Sequence, residues 1–174
     1  MDSAFNLLTQ YGLADLSMRR LATELGVAPG ALYYHVKNKQ QLLASLASRM
    51  LENVYFEGPH PAARLQFSAE ELYRQLSPVR ESAEVIRLAL ALNPSELKYV
   101  SAGMECFSAL DPEGDQEKHR LAAASLLHAC MSIIEEEQTR ALLAGTTAPG
   151  DPPDRFRAVV RATITGWSHP AAHS

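Results

Sequence analysis

Leu16–Lys39 reads LSMRRLATELGVAPGALYYHVKNK. Ser17 is a good N-cap for a short helix whose inward residues are Leu21, Ala22 and Leu25, and Gly26 stops it. Pro29 suits the first turn of a second short helix, which carries Leu32, Tyr33 and Val36. Asn38 followed three residues later by Gln41 has the capping-box pattern and opens a longer helix. Two short helices joined by a tight glycine turn, with a capped helix behind, is helix-turn-helix geometry. In that motif the second helix enters the major groove of duplex DNA and its N-terminal residues meet base edges. Here those residues are Pro29, Gly30 and Ala31, small groups able to touch thymine methyls but not to read guanine. Base reading then falls to Arg19, whose fork matches the two guanine acceptors. Ser17, Tyr33, His35 and Lys39 are donors suited to phosphate oxygens. Tyr34 is expected to pack, and Arg20 to be a solvated charge.

Outward from this stretch the pattern stays helical. Ala4, Leu7, Leu8 and Tyr11 repeat at helical spacing and Gly12 ends that run. The helix after Asn38 buries Leu42, Leu43, Leu46, Ala47, Met50 and Leu51. Pro61 opens a fifth helix through Leu76, and Ala83–Leu92 forms a sixth. Asn93-Pro94-Ser95-Glu96 starts another, running to about Ala109. A long helix covers Asp115 to about Ala144, a proline-rich loop follows, and a last helix spans about Asp154–Gly166. The tail beyond it reads as frayed. The sequence shows no strand, repeat or low-complexity tract.

The 174 residues carry 47% hydrophobic and 21% charged side chains, which argues against disorder and fits one domain or two small ones. Two cysteines, Cys106 and Cys130, are too few for a disulfide framework or a four-ligand zinc site, and both sit in apolar helical patterns as reduced core thiols. No apolar run reaches membrane-span length and the N-terminus lacks a basic signal region, so a cytoplasmic protein without a membrane partner is expected. The net charge of −4 is unevenly spread. Residues 1–51 hold five Lys and Arg against three acids, whereas residues 52–174 hold eleven against seventeen. A basic head on an acidic body is the asymmetry of a possible nucleic-acid module.

The stretch LSMRRLATELGVAPGALYYHVKNKQQLLASLA resembles the DNA-binding domain of the tetracycline-repressor (TetR) family of bacterial transcriptional regulators. Arg19-x-Leu21-Ala22, Leu25-Gly26-Val27, Leu32-Tyr33-x-His35-Val36 and Lys37-Asn38-Lys39 fall in register. The resemblance implies an all-α fold with a three-helix head at residues 1–51, reaching into the connecting helix, and a helical ligand-binding and dimerisation bundle at 52–174. It places Ser17, Arg19, Pro29, Gly30, Ala31, Tyr33, His35 and Lys39 against operator DNA, with Arg19 on bases and Tyr33, His35 and Lys39 on phosphates.

More weakly, the body is similar to the tetracycline repressors themselves through Arg80–Val85, the Asn93-Pro94 helix start, and His128 to Glu136-Glu137-Gln138. Ile86 stands where those repressors have a metal-binding histidine, while Glu136 aligns with the glutamate that supports the metal. The lost histidine argues against a magnesium–tetracycline chelate, and no metal or cofactor is expected. By position, the resemblance gives Tyr55, Leu72, Ile86, Leu90, Glu105, Phe107, His128, Met131 and Glu136 as the lining of a mostly apolar effector pocket.

The long and terminal helices are apolar on more than one face. Leu126, Leu127, Ile133, Ile134, Phe156, Val159, Val160 and Ile164 are therefore candidates for a homodimer interface, which would set two heads on successive major grooves. The expected function is a ligand-responsive repressor that binds a palindromic operator as a dimer and is released by a small, mostly apolar molecule. Its rivals are a helical protein-interaction module without DNA binding and, less favoured, a metal-dependent helical-bundle enzyme. The chain lacks the paired Glu-x-x-His motifs of the latter, and also lacks G-x-S-x-G, P-loop and H-E-x-x-H patterns.

Overall fold

The computed structural model describes residues 2–92 and 97–168. Among them the fold is all-α: α1 (Asp2–Tyr11), α2 (Met18–Glu24), α3 (Pro29–His35), α4 (Lys39–Leu51), α5 (Pro61–Leu76), α6 (Ser82–Leu92), α7 (Lys98–Leu110), α8 (Gln116–Ala144) and α9 (Asp154–Ser168). The helix start expected at Asn93–Glu96 and the tail beyond residue 168 lie outside the described residues. Trp167 and Ser168, expected to be frayed, belong to α9.

Local chemistry fixes the helix ends. The Ser17 hydroxyl accepts the Arg20 N–H at 3.2 Å and starts α2. Gly26, at φ +64°, turns the chain left-handed behind it. The Asn38 Oδ1 accepts the Gln41 N–H at 2.8 Å. Gln41 reaches back to the N–H of Lys37 at 2.7 Å, one residue before the partner of an ordinary capping box. His60 caps α5 through Nδ1, which accepts the Ala63 N–H at 3.1 Å. Asp115 caps α8 by accepting the Lys118 N–H at 2.7 Å. Gly145, at φ +66°, ends α8 with the Thr146 N–H donated to the Ala141 carbonyl at 2.8 Å.

The helices α1–α3 close over Leu7, Leu8, Leu16, Leu21, Ala22 and Leu32. Leu25 was expected inside but is 45% exposed, because as the C-cap of α2 it has already left the buried stripe. From this head α4 runs into the body, where it packs chiefly on α6. The helix α8 has 29 residues, roughly 44 Å of rod, and is packed by α5, α6, α7 and α9. Gly103 of α7 lies so close to α8 that a Cβ there would stand 3.0 Å from the Cβ of Ala123. The Arg87 guanidinium joins α6 to Glu135 of α8, while Arg155 joins α9 to Glu136 and Glu137.

This packing corrects the interface residues read from the pattern. Leu126, Leu127, Ile133, Ile134, Phe156, Val160 and Ile164 are all buried in the protomer's own core. They point in several directions because helices surround most of α8, not because a second copy covers them. Only Val159 of the eight is on the surface, at 39% exposure. The free faces hold Leu121, His128 and Ser132 on α8, and Ala158, Val159, Ala162 and Gly166 on α9.

Candidate nucleic-acid interface

The α2–turn–α3 unit presents one exposed surface. Ser17, Arg19, Pro29, Gly30, Ala31, Tyr33, His35 and Lys39 are all exposed. Among the described residues no ion pair or side-chain hydrogen bond engages the Arg19 guanidinium, which leaves its donors open. Its neighbour differs: the Arg20 guanidinium lies 3.9 Å from the ring centroid of Tyr11 and donates to Asp15 at 2.9 Å. Arg20 is therefore a packed and paired charge rather than a merely solvated one. The two adjacent arginines are separated by helical rotation into a structural and an available role.

A Cβ built on Gly30 meets nothing within 4 Å, so packing within the chain does not require glycine there. With Pro29 and Ala31 it leaves the start of α3 bare and closely approachable. Tyr33 is half exposed. Tyr34, expected to pack, is 93% exposed, because α3 buries only its Leu32 stripe and leaves the next two positions outside. Tyr34 is thus a large aromatic group that the sequence pattern misassigned. The Lys39 Nζ lies 3.4 Å from the Leu13 carbonyl and remains exposed. The face carries Arg19, Lys37 and Lys39 as cations, suited to phosphate and base acceptors.

Glu81, in the turn between α5 and α6, connects this head to the body. Its carboxylate accepts the backbone N–H of Leu13, just past the end of α1. Gly12 makes room: at φ +82°, any Cβ there would stand 2.9 Å from the Glu81 Oε2. No sequence motif marks this contact, since it depends on tertiary placement.

In the body, Leu72, Ile86, Leu90, Phe107 and Met131 are buried in the packed core, while Tyr55, Glu105, His128 and Glu136 are exposed. The set does not converge on a cavity. His128 sits on the outer face with Nδ1 2.8 Å from the Ala124 carbonyl. Glu136 is drawn to Arg155, whose hydrogen bond and charge hold its carboxyl below the usual range. An open cleft of about 350 Å³ lies elsewhere, between the α5–α6 turn, the end of α8 and residues 146–148. None of the pocket residues read from the sequence lines it. Among the described residues no group of three or more His, Cys, Asp or Glu is placed to hold a metal ion, and no helix is long and apolar enough to cross a membrane.

Residues 1–46 match the family described as bacterial regulatory proteins, tetR family. The tetracycline repressor protein class D of Escherichia coli is 27% identical over 170 residues, 94% of this chain and 76% of its own. The crystal structure of Mycobacterium smegmatis BioQ is 27% identical with a TM-score of 0.82, covering 96% of this chain and 94% of that one. BioQ with its double-stranded DNA operator is similar at 26% identity and a TM-score of 0.75, over the same shares. The match to the tetR family of bacterial regulatory proteins lies on the helix-turn-helix head, and the likeness to a tetracycline repressor and to BioQ continues through the body.

Proposed function

We propose that the chain is a ligand-responsive transcriptional repressor that binds a palindromic operator as a homodimer. The carrying observation is the exposed α2–α3 surface, with Arg19 unengaged and the start of α3 stripped to Pro29, Gly30 and Ala31. The similarity to BioQ, solved with its operator, supports placing α3 in the major groove. Arg19 takes guanine, Ser17, Tyr33, His35 and Lys39 take phosphates, and Tyr34 joins them from its exposed position. Residues 1–51 serve as the DNA-binding unit and 52–174 as the ligand-binding and dimerisation unit.

The dimer forms through the outer faces of α8 and α9. Ala158, Ala162 and Gly166 recur every four residues on α9, so one helix face is small enough for close approach by a second copy. A small, mostly apolar effector favours a state in which the two heads are mis-spaced. It releases DNA to the extent that it binds that state more tightly, typically by about 1–3 kcal/mol.

The test is binding to duplexes selected from a random pool, across a salt series. Affinity should fall steeply with salt through counterion release. Arg19→Ala should cost about 1–3 kcal/mol and relax specificity. A protein with no affinity for any duplex, or one whose operator affinity survives Arg19→Ala unchanged, overturns this reading.

A further inference from the structure

The cleft of about 350 Å³ is at the lower end of small-molecule site sizes. Its walls are tied in place. The Gln138 side-chain amide nitrogen lies within hydrogen-bond reach of the carbonyls of Leu76 at 3.1 Å, Ser77 at 3.2 Å and Val79 at 2.6 Å, with Val79 the shortest. The Ser77 hydroxyl donates to the Pro149 carbonyl at 2.5 Å, holding the 145–153 loop against the end of α5. The α8 end, the α5–α6 turn and the loop are thus one preformed unit.

The lining combines two chemistries. Ala83, Ala141 and Leu142 supply apolar surface, and Leu142 is left 72% exposed, an uncovered leucine at the rim. The charged groups are Glu81, Glu84 and Glu135 with a single Arg80, whose Nε lies 3.8 Å from the Glu81 Oε1. Arg87 does not line the cleft; it holds Glu84 at 2.6 Å and Glu135 at 2.5 Å, which fixes both carboxylates while leaving each with free acceptor positions. A cavity with an apolar wall and an excess of oriented carboxylates is complementary to a cation attached to an apolar body.

We propose that this cleft binds a small amphipathic organic cation, such as a primary amine on an aromatic or branched apolar group. The ammonium lies among Glu81, Glu84 and Glu135, and the apolar part covers Ala83, Ala141 and Leu142. Glu81 gives the site a second consequence, because the same carboxylate accepts the Leu13 N–H of the head. An ammonium competing for Glu81 weakens the contact that ties head to body. This regulatory half rests on the reading of the chain as a DNA-binding regulator; the binding half does not.

The experiment uses the isotope-labelled full chain and benzylamine, with benzyl alcohol and benzoate as neutral and anionic counterparts of similar size. Benzylamine should shift the amide signals of Thr139, Leu142 and Thr146, with affinity in about the millimolar range expected of so small a probe. Glu84→Gln combined with Glu135→Gln should weaken it at least tenfold. Because those two also hold Arg87, Thr139→Trp, which fills the cleft from an exposed position, serves as an independent block. Equal binding of benzoate or benzyl alcohol, shifts confined to other regions, or no shifts overturns the site. Bound benzylamine should also speed amide exchange at Leu13 and weaken DNA binding. Shifts in the cleft with Leu13 exchange unchanged sink the regulatory half alone. A chain that binds benzylamine but no DNA sinks the regulator reading and leaves the site standing.

Discussion

The Glu81 carboxylate accepts the backbone N–H of Leu13 from 68 positions along the chain, and does so from a left-handed backbone at φ +56°. Residues other than glycine rarely adopt that conformation, and holding one there stores about 1 kcal/mol or more of strain. The contact must therefore repay both that strain and the loss of side-chain freedom. Glu81→Ala should lower stability by about 1 kcal/mol and raise Leu13 amide exchange at least tenfold. Glu81→Gln keeps an acceptor and should recover most of the protection. Gly12→Ala should be worse than either, since it imposes φ +82° on alanine and sets a Cβ 2.9 Å from the carboxylate. Urea titration with residue-resolved exchange checks all three, and unaltered Leu13 exchange in Glu81→Ala refutes the linkage.

Tyr34 projects from α3 with 93% of its surface exposed. Tyr34→Ala should therefore change unfolding free energy by no more than about 0.5 kcal/mol while weakening duplex binding. Lys39→Ala should weaken binding to all duplexes alike and reduce the salt slope by about one. Anisotropy titrations at several salt concentrations separate the two. A Tyr34→Ala variant that unfolds easily but binds normally assigns the ring to packing after all.

Tyr73 is fully buried, edge-on to Phe156 with ring centroids 4.8 Å apart, and its hydroxyl has no hydrogen-bond partner among the described residues. Burial pushes its ionisation up. An unsatisfied buried hydroxyl is a liability, so Tyr73→Phe should leave stability unchanged or raise it by up to about 1 kcal/mol. Guanidinium unfolding decides this. A clear loss of stability would show that the hydroxyl is satisfied after all.

Arg155 carries the ionic contact between α9 and α8. Its hydrogen bond and charge hold the Glu136 carboxyl below the ordinary value. A folded pKa below the unfolded one gives stabilisation that is present above the unfolded value and lost as pH falls through the folded one. Melting temperature should accordingly drop as pH is lowered from about 4.3, the unperturbed glutamate value, downward. Arg155→Met should lower the neutral-pH melting temperature and flatten the curve in that window. A variant with the parent's acid profile shows that the pair contributes nothing to it.

Helix placement was legible because it is locally encoded. Ser17, Asn38 and Asp115 cap, Pro29 and Pro61 open, and Gly26 and Gly145 close, each within four residues of the groups they satisfy. The eight head residues read as DNA-facing are exposed, but Tyr34 and Leu25, read as inward, are exposed as well. What failed needed knowledge of neighbours. Periodicity shows that Leu126, Leu127, Ile133 and Ile134 cannot share one face, but not whether a partner or the protomer's own helices cover them. The pocket residues were assigned by position, yet side-chain volume decides the matter, and Leu72, Ile86, Phe107 and Met131 occupy the space themselves. Glu81 was invisible for the opposite reason. Its contact is with an N–H 68 positions away, which no local pattern encodes.

Cys106 and Cys130 are free and buried, and burial pushes both thiols above their usual range, Cys130 far above it. Thiolate is the reactive form, so both native sulfurs should react slowly with maleimides and methanethiosulfonates. The wild-type background is then ready for site-directed labelling. A cysteine introduced at the exposed Gln40 would carry the one fast-reacting sulfur in each copy. In the proposed dimer, two such labels would turn the separation of the heads into a directly measured distance, with and without any small molecule added.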